Sequence, residues 1–469
     1  MRIFEINTRV HCQSFDDITE DEVRALAELG FDTIWPMGVW EISKGARRIS
    51  KIISEDWEGS PYAVPQYKFN KSLGGKDAFA AFAKRAHKAG LAVMVDFVSN
   101  HMALDSPWID EQADLFINSF PRARKQQTSE FFLHPSGEVL AFGRDPFFPP
   151  WNDTAQLDYT NPATRERMID MLLWISQHAD GVRCDMAMLV LRDYFRQQWY
   201  PLAADDWVKA RMPGEFWDEA INTVKKRRPD FKFIAEAYWD QEPYLHTLGF
   251  DLCYEKKLLD ALVARNAAQV IERLTEDDAT LRSSLFFIEN HDEARAAAIF
   301  NNADNLAAAA LILALPGSAL IHEGQMEGKR EKLPVQRIKP LVDEAPDLGL
   351  REAYEQLLRI TSAEVFKKGR LALFDSRVWG AVAFLRQDAE RTVGYLAQIS
   401  EAWHKFHSTA FDITPIARAI GVSQQITVTN LMTASSIRID EQDGAFKLQP
   451  ERLGVGEGTH FCLIAVANV

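Results

Sequence analysis

Four short apolar runs end in side chains able to do acid, base or nucleophilic chemistry. They are Val95-Asp96-Phe97-Val98-Ser99-Asn100-His101, Gly181-Val182-Arg183-Cys184-Asp185, Phe233-Ile234-Ala235-Glu236 and Phe287-Ile288-Glu289-Asn290-His291-Asp292. A lone Asp or Glu after a strand is usually a helix N-cap or part of a structural ion pair. Four such ends meeting at one partly buried mouth are hard to explain as scaffold. Like charges gathered there cost energy, and one of them should be held protonated. A carboxylate beside a protonated carboxyl can hydrolyse a glycosidic bond with retention. One group attacks the anomeric carbon; the other protonates the leaving oxygen, then deprotonates the incoming water or sugar hydroxyl. Arg183 lies two residues before Asp185, hence on the same face of a strand, where it would hold that carboxylate ionised and oriented. Asp185 is therefore the expected nucleophile and Glu236 the expected acid.

The elements that must position these residues alternate as in an α/β fold with a parallel sheet. Strands are predicted at Phe4–Val10, Thr33–Met37, Ala92–Val95, Gly181–Cys184, Phe233–Ala235, Phe250–Tyr254, Leu285–Ile288 and Ala319–Ile321. Amphipathic helices are predicted at Asp21–Leu29, Asp77–Ala89, Pro162–His178, Lys257–Arg265 and Leu350–Lys367. Eight strands with helices between them fit a (β/α)8 TIM barrel better than an open sheet, and such a barrel carries its site at the C-terminal strand ends. The barrel is expected over 1–101 and 162–367. Residues 102–161, rich in Phe, Pro, Asp and Trp, are too long for an ordinary connection and read as a small inserted subdomain. From 368 to 469 the helical period disappears. Runs at Leu371–Phe374, Ala381–Leu385, Thr392–Gln398, Gln425–Leu431 and Phe461–Val466 predict a C-terminal antiparallel β domain.

The four blocks, in this order and spacing, resemble the signature regions of the α-amylase family of glycoside hydrolases, family 13. The resemblance runs from about Phe4 to Gly324. Leu315-Pro316-Gly317 leading into Glu323-Gly324, and Leu157-Asp158-Tyr159 before the helix at Pro162, match as well. The resemblance implies Asp185 as nucleophile, Glu236 as acid/base and Asp292 as a third carboxylate that holds sugar hydroxyls and helps distort the ring. It also implies that Arg183, His101 and His291 line the subsite of the reacting sugar, with Asp96 of the first region counted among the substrate-binding residues. Tyr62, in Gly59-Ser60-Pro61-Tyr62, falls where the family stacks a tyrosine under that sugar; a core aromatic is the competing reading.

The chain also departs from the pattern. Many starch-degrading members carry a Lys-His pair shortly after the nucleophile, where Met188-Leu189 stand here, so the acceptor subsites must be built differently. Calcium-binding members have an aspartate before the Leu-Asp pair. Gln156 stands there and is a neutral, weaker ligand for a hard cation, although Asn100 keeps another oxygen. No metal and no cofactor are expected. Trp151, Phe147, Phe148, Trp239 and Tyr238 are candidate sugar-stacking platforms, with apolar packing of the third loop as the alternative. Two basic clusters, Arg47, Arg48 and Lys51, then Lys329, Arg330, Lys332, Arg337 and Lys339, suggest an anionic sugar group. The interleaved Glu41, Glu55, Glu327 and Glu331 favour solvated ion pairs instead. The expected activity is retaining hydrolysis of α-glucans or maltooligosaccharides. An α-glucanotransferase or maltosyltransferase using the same residues is the alternative, and a catalytically silent glycan-binding protein is the reading from another class. The intact trio argues against the last.

Composition narrows the partners. A length of 469 residues allows about two to four domains. With 53 Lys and Arg against 67 Asp and Glu, the net charge of −14 argues against nucleic acid. Hydrophobic residues at 47% and charged residues at 26% are those of a soluble globular chain. Glu5 interrupts the apolar start that an export signal would need. The longest apolar run, Leu306 to Leu315, is too short to cross a bilayer, so no membrane is expected. Cys12, Cys184, Cys253 and Cys462 lie far apart without a CxxC pair, which fits a reduced, cytoplasmic setting.

Overall fold

Eight parallel strands close into a barrel in chain order in the computed structural model, which describes residues 1–118, 128–201, 203–340, 342–399 and 403–468. They are β1 (Arg2–Asn7), β2 (Thr33–Met37), β3 (Ala92–Val98), β4 (Gly181–Asp185), β5 (Lys232–Ala235), β6 (Leu252–Tyr254), β7 (Ser284–Phe286) and β8 (Ser318–His322). The ring closes where β1 pairs with β8 from Arg2↔Ala319 to Glu5↔His322, while its other edge pairs with β2. The strands are apolar throughout because their inward side chains fill the barrel and their outward ones meet helices. β2 and β4 are buried at every position.

The helices follow the predicted pattern with physical adjustments at their ends. The first strand stops at Asn7 rather than Val10, because the Asn7 side chain accepts the Arg9 N–H and caps a short helix, Thr8–His11. The expected helix Leu350–Lys367 is two, Leu348–Ile360 and Glu364–Lys368. At the break, the Thr361 and Ser362 hydroxyls donate back to the Leu357 and Leu358 carbonyls, and Arg2 donates to Leu358 O at 2.7 Å. The basic run Arg47, Arg48 and Lys51 lies on a helix, Lys44–Ile53, capped by Ser43. Among the described residues no helix is long and apolar enough to cross a membrane.

Between β3 and its helix Pro162–Ile175, the inserted segment builds two small antiparallel pairs, His101–Ala103 with Thr154–Gln156 and Phe131–Leu133 with Val139–Ala141. Residues 119–127 of the predicted insertion lie outside the described residues. The first pair brings Trp151 over His101, with ring centroids 5.1 Å apart.

After the barrel, β9 (Arg370–Leu373), β10 (Ala381–Gln387), β11 (Thr392–Gln398), β12 (Gln425–Asn430), β13 (Ser436–Asp440) and β14 (Phe461–Asn468) form one sheet in the order β9-β10-β11-β14-β12-β13. All its pairings are antiparallel. Sequence reasoning missed β13, an edge strand with mostly polar, exposed positions. The period of two divides the sheet's faces. Val382, Phe384, Val393, Tyr395, Phe461 and Leu463 join the barrel's core, whereas Ala383, Leu385, Leu396, Cys462 and Ile464 join a second core with Phe406, Phe411 and Ile416. Arg386, on the barrel-facing side and fully buried, donates to Ala314 O at 2.5 Å, Phe366 O at 2.6 Å and Gly369 O at 2.8 Å. One guanidinium thus fastens the sheet to carbonyls at the ends of two barrel helices.

Candidate active site

Strand register sets the depth of each polar side chain. Asp96 of β3 pairs with Arg183 of β4, and Val98 with Asp185. Asp96 and Arg183 therefore share one layer of the barrel interior, and Asp185 stands one layer higher on Arg183's face. Glu236 follows β5 directly, and its own N–H donates to Cys184 O at 3.1 Å, which fixes it beside the end of β4.

Arg183 organises the mouth. Its Nη1 donates to Asp185 Oδ1 at 2.6 Å, and its Nη2 lies 2.9 Å from Glu236 Oε2 and 3.8 Å from Asp292 Oδ2. The Glu236 approach is an ion pair without hydrogen-bond alignment, for Nη2 has no aligned acceptor. The guanidinium is 5.2 to 5.7 Å from the rings of Tyr62, Trp35 and Tyr254. Burial would favour losing its proton, yet Glu236 and the other negative groups hold its pKa well above the ordinary value.

The two carboxyls on either side of Arg183 in this mouth, Glu236 and Asp292, are driven apart. Burial pushes Glu236 up to about 7; Arg183 pulls the other way, and Asp185 and Asp292 add to the rise. Glu236 Oε2 accepts the Met186 N–H at 2.6 Å, and Oε1 accepts the Tyr238 hydroxyl at 3.0 Å. Met186 has φ 42°, a left-handed conformation that aims its N–H at the carboxyl. Partial desolvation in the cleft would also raise Asp292, whose side chain is still 42% exposed, but His291 outweighs it and holds Asp292 below the usual carboxylate range. His291 Nε2 is 2.8 Å from Asp292 Oδ2 and 2.7 Å from the Tyr62 hydroxyl, while Nδ1 is 2.5 Å from Glu5 Oε1. Burial alone would lower the His291 pKa, yet Asp292 and Glu5 raise it well above its ordinary value. The ring is thus an imidazolium between two carboxylates.

The predicted residues divide into two groups. Asp185, Glu236, Asp292, Tyr62, His101 and Trp239 line one cleft of about 780 Å³. Asp96, Arg183 and His291 lie beneath it. Asp96 Oδ2 accepts the Gly38 N–H at 3.2 Å, and burial pushes its carboxyl up to about 6 against the pull of Arg183. His101 is kept neutral by burial, which lowers its pKa. Glu289, in the block that follows β7, does not line the cleft. It accepts from Arg295 Nη1 at 2.5 Å and from the Ala296 N–H at 2.7 Å, a buried structural pair. Sequence reasoning missed the roles of Glu5, Tyr238, Met186 and Tyr254. Glu5 had a signal, a lone charge inside the apolar run Ile3–Ile6, and Tyr238 stood just past the acid as a stacking candidate; Met186 and Tyr254 had none.

The loops that carry the two basic clusters meet, but Arg47 and Lys51 of the first are already paired. The loops after β2 and β8 join through Glu58 N–H to Gln336 O at 2.9 Å, with Arg9 donating to Gly59 O and Gln336 O. Arg47 and Lys51 both pair with Glu58, at 2.5 and 3.2 Å, while Lys332 contacts Asp292 O.

The calcium position of the family does not suit a cation here. The buried Gln156 Nε2 donates to Asn100 O at 2.8 Å, Asn100 Oδ1 at 3.0 Å and Leu157 O at 3.1 Å. A hard cation takes six to eight oxygens around itself. In this orientation a donor nitrogen stands at the centre of these oxygens while Gln156 Oε1 is buried without a hydrogen-bond partner, and a metal would have to turn the amide over.

Residues 18–339 match the family model of the α-amylase catalytic domain. Among curated relatives, an α-amylase of Dictyoglomus thermophilum is 23% identical over 297 residues, covering 58% of this chain and 54% of that protein. An α-1,4-glucan:maltose-1-phosphate maltosyltransferase of Rhodospirillum rubrum is 26% identical over 283 residues, covering 58% and 35%. The chain spans about half or less of these proteins' length. Among solved structures, a maltogenic α-amylase of Thermotoga neapolitana superposes with a TM-score of 0.75 at 20% identity, covering 100% of this chain and 99% of that one.

Proposed function

The chain belongs to the α-amylase family of glycoside hydrolases, and from that premise we propose that it cleaves α-glucosidic bonds of α-glucans or maltooligosaccharides with retention. The observation that carries the reading is the electrostatic split around Arg183: Glu236 pushed up to about 7 beside Asp292 held low. Asp185 attacks the anomeric carbon as Glu236 gives its proton to the leaving oxygen, and the carbon–oxygen bond breaks to leave a glycosyl ester on Asp185. Glu236, now a carboxylate, takes a proton from water, which attacks the same carbon and frees Asp185. Asp292, fixed by the His291 imidazolium, holds sugar hydroxyls, and Tyr62 supports the sugar from the cleft wall.

Transfer to a sugar hydroxyl in place of water uses the same residues. The observation that favours it is the apolar cleft rim, where Ile53 and Phe148 stand exposed and would hold a sugar better than water. Mass analysis of a maltooligosaccharide digest over time tests both readings. Shorter products alone mean hydrolysis, and chains longer than the input mean transfer. If no product forms while an Asp185→Asn variant still binds the glucan, the protein is a glycan binder and the enzymatic reading fails. We further propose a metal-independent enzyme, with the Gln156 amide doing the tethering of a cation. A reducing, cytoplasmic setting is supported by four free thiols, three of them buried.

A further inference from the structure

Beyond Trp239 the cleft is continued by a second cavity of about 920 Å³ that contains none of the catalytic carboxylates. The two cavities share Asp145 and Phe148. Trp239 divides them: Phe147 meets it edge-on at 4.9 Å, and Tyr194 stacks on it at 5.7 Å with planes 21° apart. Large apolar rings are exposed along this path, Phe147 at 68%, Phe148 at 69% and Tyr244 at 42%. Exposed aromatics grouped on one groove mark a binding surface.

The rings are also held in place. Asp145 Oδ1 accepts the Phe147 N–H at 2.7 Å and the Phe148 N–H at 3.0 Å, which fixes the turn that presents both. The Tyr244 hydroxyl donates to Glu215 Oε1 at 3.0 Å. Trp239 and Asp240 have φ values of 59° and 60°, so two successive non-glycine residues sit in the left-handed region. Strain of this kind persists where the surrounding structure imposes it, and it clusters at functional sites.

The lining selects the occupant. Asp193 and Glu215 make it acidic, and its cation Arg144 is paired with Glu130 at 2.6 Å, so an anion is disfavoured and a neutral ligand is not. Aromatic faces suit the apolar faces of pyranose rings, and the amides of Gln197 and Gln198 can bond hydroxyls. Direction follows from the acid. Glu236 gives its proton to the leaving oxygen in the reading above, and the chain runs from it through Tyr238, whose hydroxyl donates to Glu236 Oε1 at 3.0 Å, to Trp239 at the groove's edge, so the groove lies on the acid's side of the cleft.

We propose that the groove of Phe147, Tyr194 and Tyr244 is an extended acceptor-side site that binds the leaving arm of a long α-glucan. The proposal rests on the α-glucan reading above. Its test is the ratio of kcat/KM for maltoheptaose to that for maltotriose in the full-length protein. Tyr194→Ala and Tyr244→Ala each lower the ratio about five- to tenfold, the size of one aromatic contact, while Tyr194→Phe keeps it because the ring face remains. An unchanged ratio in both alanine variants, or an equal fall in Tyr194→Phe, overturns the proposal. If the protein turns over no α-glucan, the functional reading fails on its own, and calorimetric titration with maltoheptaose decides the groove. Weaker binding by Tyr194→Ala than by wild type supports it, whereas equal binding or none overturns it.

Discussion

Arg183 lies within 4 Å of three carboxylates, yet Glu236 keeps its proton near neutral pH and Asp292 does not. The difference comes from the second partner of each. Asp292 has the His291 imidazolium, itself held by Glu5, whereas Glu236 has a backbone N–H and a tyrosine hydroxyl, which offset burial only in part. A pH dependence follows with a definite sign. The proton donor is the uncharged form of Glu236, so kcat/KM for maltooligosaccharides should fall as pH rises through about 7. Glu236→Gln should remove that limb and lower kcat roughly 10²- to 10⁴-fold. The loss should be smaller for a nitrophenyl α-maltoside, whose leaving group needs no proton. A limb that stays in place in the variant would assign it to another group. At this scale the sequence showed the residues but not their sorting. Asp185, Glu236 and Asp292 stood at strand ends, where period two and the apolar runs expose them to inspection. That Asp96 and Arg183 share a layer depends on the register of β3 against β4, and that Glu5 governs His291 depends on a contact between opposite ends of the barrel sequence.

Elements turn single residues into geometry. β4 presents Arg183 and Asp185 on one face, and the close approach at Gly317 before β8 leaves no room for a side chain: an added Cβ would lie 2.4 Å from Leu281 O. The pair His101–Ala103 with Thr154–Gln156 ties the insertion to β3 and sets His101 under Trp151. Gln156 completes that tie through three oxygens. Its consequence is measurable: a chelator should leave the melting temperature unchanged, and added calcium should not raise it. Gln156→Asp should create a calcium-dependent rise, since a ligand bound only by the folded state adds RT ln(1 + [L]/Kd) to stability. A melting temperature that drops several degrees in wild type on chelation would refute the amide's role. The alternation of strands and helices was legible because each barrel strand is a short apolar run between amphipathic helices. The break at Thr361 was not, for it depends on a hydroxyl choosing its own backbone and on Arg2 arriving from β1.

At the scale of the molecule, barrel and C-terminal sheet share one continuous core across the inner face of β10, β11 and β14. The loss of helical period announced that sheet, but the polar joint inside it was invisible to patterning. Arg386 reads in sequence as one more charge at a strand end. Arg386→Met should strand three buried carbonyls and lower stability by about 3 kcal/mol, measured as a shift of the urea midpoint. Arg386→Lys should recover only part of that, since an ammonium cannot fork. An unmoved midpoint in the Met variant would mean water replaces the guanidinium. The seam between β1 and β8 has a consequence in time. Of the barrel strands β1 is made first, yet one of its two neighbours is made last, and loop closure over so long a stretch is slow. Until the ring shuts, Glu5 has no His291 to hold, so Asp292 lacks its anchored neighbour. Completing the barrel and switching on its chemistry are then a single event, and a chain caught just short of closure would hold most of its helices and none of its activity.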